Sequence, residues 1–139
     1  MEKVTVSVQW CGSNFGATFS GNVPGAVAFT AKDIEELQKE AHDTLAFHVE
    51  GLVEDGEDVP QWLCDGNYEL VFKYVDVATL LHACEPYVSL AAISRASGIN
   101  RGQLSHYANG MKKPREEQRR RIVESLHSIG KRLQCATCM

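Results

Sequence analysis

A chain of 139 residues, 44% hydrophobic and 23% charged with a formal charge of −4, has material for one packed domain or two small ones and is neither disordered nor fibrous in composition. No apolar run approaches the roughly 18 residues of a membrane span, and the alternating start MEKVTVSVQW lacks the continuous apolar stretch of a secretory signal, so a cytoplasmic protein without a membrane partner is expected.

VTVSVQW at 4–10 alternates Val4, Val6, Val8 and Trp10 with Thr5, Ser7 and Gln9, which predicts a half-buried strand. The turn signal CGSN follows, then FGATF with Phe15, Ala17 and Phe19 on one face. A second turn, NVPG at 22–25, leads to AVAF, a short third strand, and the three strands are expected as an antiparallel meander. From Ile34 the apolar positions Ile34, Leu37, Ala41, Leu45, His48 or Val49, and Leu52 step by three and four, the period of a helix with one buried stripe. Asp33 and Glu36 have the spacing of a capping box, and Gly51 with the acidic EDGED run is expected to end the helix. VPQWL leads out, and NYELVFKYV at 67–75 predicts a fourth strand. The order β-β-β-α-β over residues 1–75 lets one helix cover one face of a small sheet.

W-x3-NFGA, then VPG, then a helix with paired glutamates near its start, then HVEGL-x3-GEDVP, together resemble the HicB-type antitoxin domain over about residues 4–75. The family often has P-x-x-PG at the second turn, where Ser20-Gly21-Asn22-Val23-Pro24-Gly25 lacks the first proline. The resemblance implies a truncated (partial) RNase H-like fold and, as partner, a HicA-type toxin, a small basic ribonuclease that cleaves messenger RNA. Nuclease chemistry of the RNase H kind needs several carboxylates converging on metal ions. VTVSVQW and FGATF contain none, so no enzyme is expected. A partner that must present Lys and Arg to RNA is met best by carboxylates. The candidate partner-binding residues are Glu35, Glu36, Glu40 and Asp43 on the helix, with Trp10, Asn14 and Phe15 at the edge of the meander.

Beyond residue 75 the pattern is helical throughout. DVATLLHACEP predicts a helix from Asp76 with Val77, Leu80, Leu81 and Cys84 inward and Pro86 past its end. In SLAAISRASG, Ser89 is the expected N-cap, Leu90, Ile93 and Ala96 the buried positions, and Gly98 the permissive residue of a sharp turn. Asn100 caps RGQLSHYANG, in which Leu104 and Tyr107 face inward and Asn109-Gly110 closes the helix. MKKP is a basic loop, and REEQRRRIVESLHSIGKRL predicts a last helix with Ile122, Val123, Leu126, Ile129 and Leu133 packing back. Arg119, Arg120 and Arg121 are expected on its solvated face. The five cysteines, Cys11, Cys64, Cys84, Cys135 and Cys138, are odd in number and irregularly spaced, which is no disulfide framework. The lone CATC at 135–138 has too few partners for zinc, so neither metal nor cofactor is expected.

GINRGQLSHYANGMKKP fits G-[IV]-[NS]-x3-[LI]-S-x-Y-x-NG-x3-P and resembles the phage-repressor (Cro-like) helix-turn-helix domain over about residues 76–133. Ser94 departs from the alanine usual in the second helix. In this motif the first turns of the recognition helix face base edges in the major groove. The candidate DNA-binding residues are therefore Asn100, Arg101, Gly102, Gln103, Ser105 and His106, with Lys112 and Lys113 on phosphates. The fork of Arg101 suits guanine O6 and N7, and Gln103 suits a phosphate or an adenine. Gly102 is unusual inside such a helix, lowering propensity by about 1 kcal/mol, and is expected to permit close backbone approach.

Charge divides at the same place. Residues 1–80 hold four lysines, no arginine and fourteen acids, a net −10, while residues 81–139 hold ten cations and four acids, a net +6. The expectation is an α+β chain, with a HicB-like toxin-binding domain at 1–75 and an all-α helix-turn-helix domain at 76–139. It would act as an antitoxin that sequesters a HicA-type toxin and binds operator DNA to autoregulate. The alternative is a stand-alone transcriptional regulator whose acidic domain oligomerises or senses a ligand. One helix-turn-helix buries too little surface for tight binding, so a homodimer or higher even homo-oligomer on two half-sites is expected.

Overall fold

Alternation of valine with small polar residues makes the first strand the centre of a sheet. In the computed structural model, which describes residues 1–139, this strand is β1 (Glu2–Trp10). It lies between β2 (Phe15–Phe19), antiparallel to it, and β4 (Tyr68–Tyr74), parallel to it. β3 (Ala28–Ala31) pairs antiparallel with β2, giving the order β3-β2-β1-β4. The register aligns Val6 with Phe19 and Phe72, Val8 with Ala17 and Tyr74, and Val4 with Leu70, so one face is continuously apolar. Val4, Val6 and Val8 are 0% exposed. The other face carries Thr18, Thr30 and Lys73, all exposed.

A parallel pair cannot be joined by a tight turn and needs a crossover. α1 (Ile34–Glu54) supplies it, burying Leu37, Ala41, Leu45 and Val49, the last two packing with Val4, Val23 and Leu63. Asp33 caps the helix by accepting from the Glu36 N–H at 2.7 Å. Glu36 reaches back one residue beyond the cap, to the Lys32 N–H at 3.4 Å. Of the two expected stops, Gly51 lies within the helix and the EDGED run ends it. The stop comes at Gly56, whose φ of +73° allows the Glu57 N–H to bond to Leu52 O and its own N–H to bond to Val53 O. VPQWL is not a plain linker: α2 (Gln61–Cys64) forms there and closes the same way at Gly66, with the Asn67 N–H on Trp62 O. The third strand also starts two residues later than AVAF suggests. Val23 is 5% exposed in the core and Pro24 O is held by His48 Nε2 at 2.7 Å, so the backbone there is committed to a loop.

At the end of β1 the Trp10 N–H donates to Thr79 Oγ1 at 2.9 Å, and the Thr79 N–H and O–H both donate to Asp76 Oδ1. Thr79 is 0% exposed and sits in the first turn of α3 (Val77–Cys84), so this chain of bonds joins strand end to helix start.

The chain divides into two compact units, Met1–Thr79 and Leu80–Met139. The division falls inside α3, four residues after the 75/76 boundary taken from composition, and leaves the −10 and +6 charges unchanged. The second unit contains α4 (Leu90–Ser97), α5 (Arg101–Ala108) and α6 (Glu116–Cys135), with α4 packed on both others. Ile93, Ile99, Leu104, Tyr107 and Ile122 form its buried centre. Ala96, expected inward, is exposed. Leu133 is also 65% exposed. α6 runs about 30 Å and α4 about 12 Å, so the last turns of α6 outrun the helix that covers its first half. The whole is a mixed α+β chain with one four-stranded mixed sheet and six helices, none of them long and apolar enough to cross a membrane.

Thr79→Val, which keeps volume and removes the hydroxyl, deletes both the bond from the Trp10 N–H and the bond to Asp76 Oδ1. Urea denaturation followed by tryptophan fluorescence is expected to show a loss of about 1–3 kcal/mol, with Thr79→Ser close to the parent.

Candidate functional site

The α4–α5 corner is built by capping bonds. Ser89 Oγ accepts the Ala92 N–H at the start of α4, and at its end Gly98 adopts φ +74° with its N–H on Ser94 O. Ser94, the departure from alanine, has a use: its hydroxyl donates to Ile99 O at 2.6 Å and closes the turn. Asn100 Oδ1 caps α5 by accepting the Gly102 N–H at 2.7 Å, and a Cβ on Gly102 would lie 3.0 Å from that oxygen. The glycine therefore has a reason within the chain itself, room for its own cap.

Arg121 does not lie on the solvated face of α6. It is half-buried, and its Nη2 donates to Ser97 O at 2.7 Å, fastening the end of α4 to α6. A Cβ on Gly98 would sit 3.0 Å from that nitrogen. Arg119 and Arg120 remain on the outer face, paired with Glu116 and Glu124 at 3.0 and 3.2 Å.

On this frame Asn100, Arg101, Gly102 and Ser105 are exposed. Gln103 is half-buried, its Nε2 oriented by the Tyr107 hydroxyl at 2.9 Å. His106 shares that flank, three residues on, and is half-buried with its Nδ1 shut from solvent and unbonded, so it is not on the open face with Ser105. Lys112 and Lys113 are exposed in the α5–α6 loop. Together with Gln103, Tyr107, Arg115 and Gln118 they line a depression of about 480 Å³ that has three cations and no carboxylate. Arg115, Gln118 and the Tyr107 hydroxyl escaped sequence reasoning. Cations at 112, 113 and 115 around Pro114 were the available signal, whereas Tyr107 reads only as core.

In the acidic unit, Glu35, Glu36, Glu40 and Asp43 are all exposed on α1, with Glu36 partly engaged in the cap. Phe15 is 3% exposed and offers no surface to a partner, because its position in β2 puts it on the covered face of the sheet. Trp10 stands edge-on to it, ring centroids 4.9 Å apart, and is half-buried, as is Asn14, whose carbonyl accepts the Cys11 N–H. Two exposed apolar side chains on α1 went unnoticed in sequence, Phe47 at 79% and Val53 at 53%. Phe47 falls off the stripe Leu37–Ala41–Leu45–Val49, whereas Val53 extends it by one step into the last turn of α1. Val53 joins Ala46, Val49, Leu63 and Tyr68 around a groove of about 460 Å³ edged by Glu50 and Glu54.

Burial raises the Tyr68 phenol and the Cys84 thiol above their ordinary pKa values. All five cysteines are unpaired, and no three His, Cys, Asp or Glu side chains converge as a metal would need.

Gly98→Ala meets both a left-handed φ and the Arg121 guanidinium. Thermal denaturation is expected to show a destabilisation of about 1–2 kcal/mol.

Comparison with family models, with curated proteins and with solved structures finds no match to this chain.

Proposed function

We propose that the chain is an antitoxin and autoregulatory repressor of the HicB kind, not an enzyme. The basic unit reads operator DNA as a helix-turn-helix module, and the acidic unit masks a cationic HicA-type ribonuclease. The carrying observation is the α5 surface: Arg101 and Ser105 point outward from a helix start capped by Asn100, beside a depression with three cations and no acid.

α4 and α5 meet at a left-handed glycine, and in a helix-turn-helix the first residues of the second helix meet base edges. Arg101 there grips a guanine through its fork. Gln103, held by Tyr107, contributes a pre-aimed carboxamide at the mouth of the depression. Lys112, Lys113 and Arg115 take backbone phosphates, which fix register and supply the salt-dependent part of affinity. The sheet order β3-β2-β1-β4, with a crossover helix before a parallel fourth strand, supports a truncated RNase H-like reading of the acidic unit. Its function follows from electrostatics: a carboxylate face attracts a protein built to hold RNA and speeds their encounter. Exposed Glu35, Glu36, Glu40 and Asp43 form that face in a cytoplasmic protein.

Fluorescence anisotropy on DNA from upstream of its own gene tests the first half. Arg101→Ala is expected to lose about 1–3 kcal/mol and relax preference at one base pair, and Lys113→Ala to weaken all sequences and lower the salt slope by about one. Equal losses on every sequence for both variants would overturn the assignment of α5 as reading helix.

Co-expression with the product of a small basic open reading frame beside its gene tests the second half. The full chain is expected to co-purify with it and to lose it when Glu35, Glu36 and Glu40 become lysine. No complex, with operator binding intact, would favour the stand-alone regulator.

A further inference from the structure

We propose that α6 is a dimerisation helix that pairs antiparallel with α6 of a second copy about a twofold axis that crosses the helix at the level of residue 128, on the face opposite Ser128. This deepens the repressor reading, since two half-sites need two copies, but it stands on α6 alone.

The helix has two adjacent apolar stripes. One, through Ile122 and Ser125, is buried in its own unit. The other runs Val123, Leu126, Gly130 and Leu133, with steps of three, four and three, the spacing of a helix-pairing seam. Burial falls along this second stripe: Val123 and Leu126 are half-buried, Gly130 is exposed, and Leu133 is 65% exposed. None of the four is charged.

Gly130 is the odd residue. A glycine inside a helix is less favourable than alanine, and a Cβ at this position would meet nothing within 4 Å. A single copy gives no steric reason for it. A second helix crossing closely does.

The stripe is also self-complementary. Val123 lies as far before residue 128 as Leu133 lies after it, and Leu126 as far before as Gly130 after. An antiparallel twofold pair therefore sets Val123 against Leu133 of the second copy and Leu126 against Gly130 of the second copy. Each layer joins a larger to a smaller side chain, and both contacts recur by symmetry.

Charge selects the direction. Parallel helices would bring Arg119 and Arg120 of the two copies together. Antiparallel helices lay those arginines along the other helix's C-terminal end, the negative end of its dipole.

Four residues a side fall short of the standard interface of about 1,600 Å². Pairing by α6 alone is thus expected in the micromolar range, about 1–100 μM, and tightens when each copy holds a half-site.

Sedimentation equilibrium of the full chain without DNA, at concentrations spanning that range, tests this directly. A reversible monomer–dimer equilibrium is expected. Leu133→Lys and, separately, Gly130→Leu should each raise the dissociation constant by about tenfold or more. Both positions are exposed, and Gly130→Leu improves helix propensity, so circular dichroism should show an intact fold in each variant. A monomer throughout, or a dimer indifferent to both substitutions, overturns the proposal. The outcome is separable from the repressor reading: sequence-specific binding by a monomer sinks only the dimer helix, and a dimer blind to DNA sinks only the repressor.

Discussion

The bond from the Arg121 guanidinium to Ser97 O holds the basic unit in its working shape. It ties the end of α4 to α6 where the chain reverses at Gly98, and α5 leaves from that fixed point. The guanidinium approaches so closely that a side chain on Gly98 would touch it, so sterics and backbone conformation both demand glycine there. A charged donor on a main-chain carbonyl in a half-buried place is among the stronger hydrogen bonds available to a small helical unit. With α4 held in this way, Ser94 and Asn100 need supply only local bonds to aim the first turn of α5 outward.

In the proposed function, segregated charge gives that geometry its use. A chain with a net −4 would be repelled by DNA if its charge were evenly spread, yet the unit carrying α5 has +6. The carboxylates are gathered on the other unit, whose parallel β1–β4 pairing requires a long crossover helix. The outward side of that helix provides a ready surface for acids, and Glu35, Glu36, Glu40 and Asp43 occupy it. Under the proposed function, one chain thus offers each of two oppositely charged partners a matching face.

Much of this was legible because the signals are local. Period two in VTVSVQW, steps of three and four from Ile34, and the cap residues Asp33, Ser89 and Asn100 each reflect contacts within a few residues. What escaped depends on partners distant in sequence. Gly51 and Gly56 are equivalent as letters; only the backbone, left-handed at the second and not at the first, separates them. Arg121 resembles its neighbours Arg119 and Arg120 until Ser97 O, 24 residues away, is placed beside it. Phe15 read as an edge residue because the strand boundary was visible while the direction of its face was not. Leu133 continues a helical period, but the length of α4, which decides whether anything covers it, belongs to another element. The cationic depression was hidden for the same reason, since it gathers residues from α5, its following loop and α6.

Hydroxyl-radical footprinting of the full chain on DNA upstream of its own gene tests the central claim most directly. Two protected patches are expected, with centres about 10–10.5 base pairs, or a multiple of that, apart, and both vanish with Arg101→Ala. Uniform weak protection along the fragment, unchanged by Arg101→Ala, would contradict it.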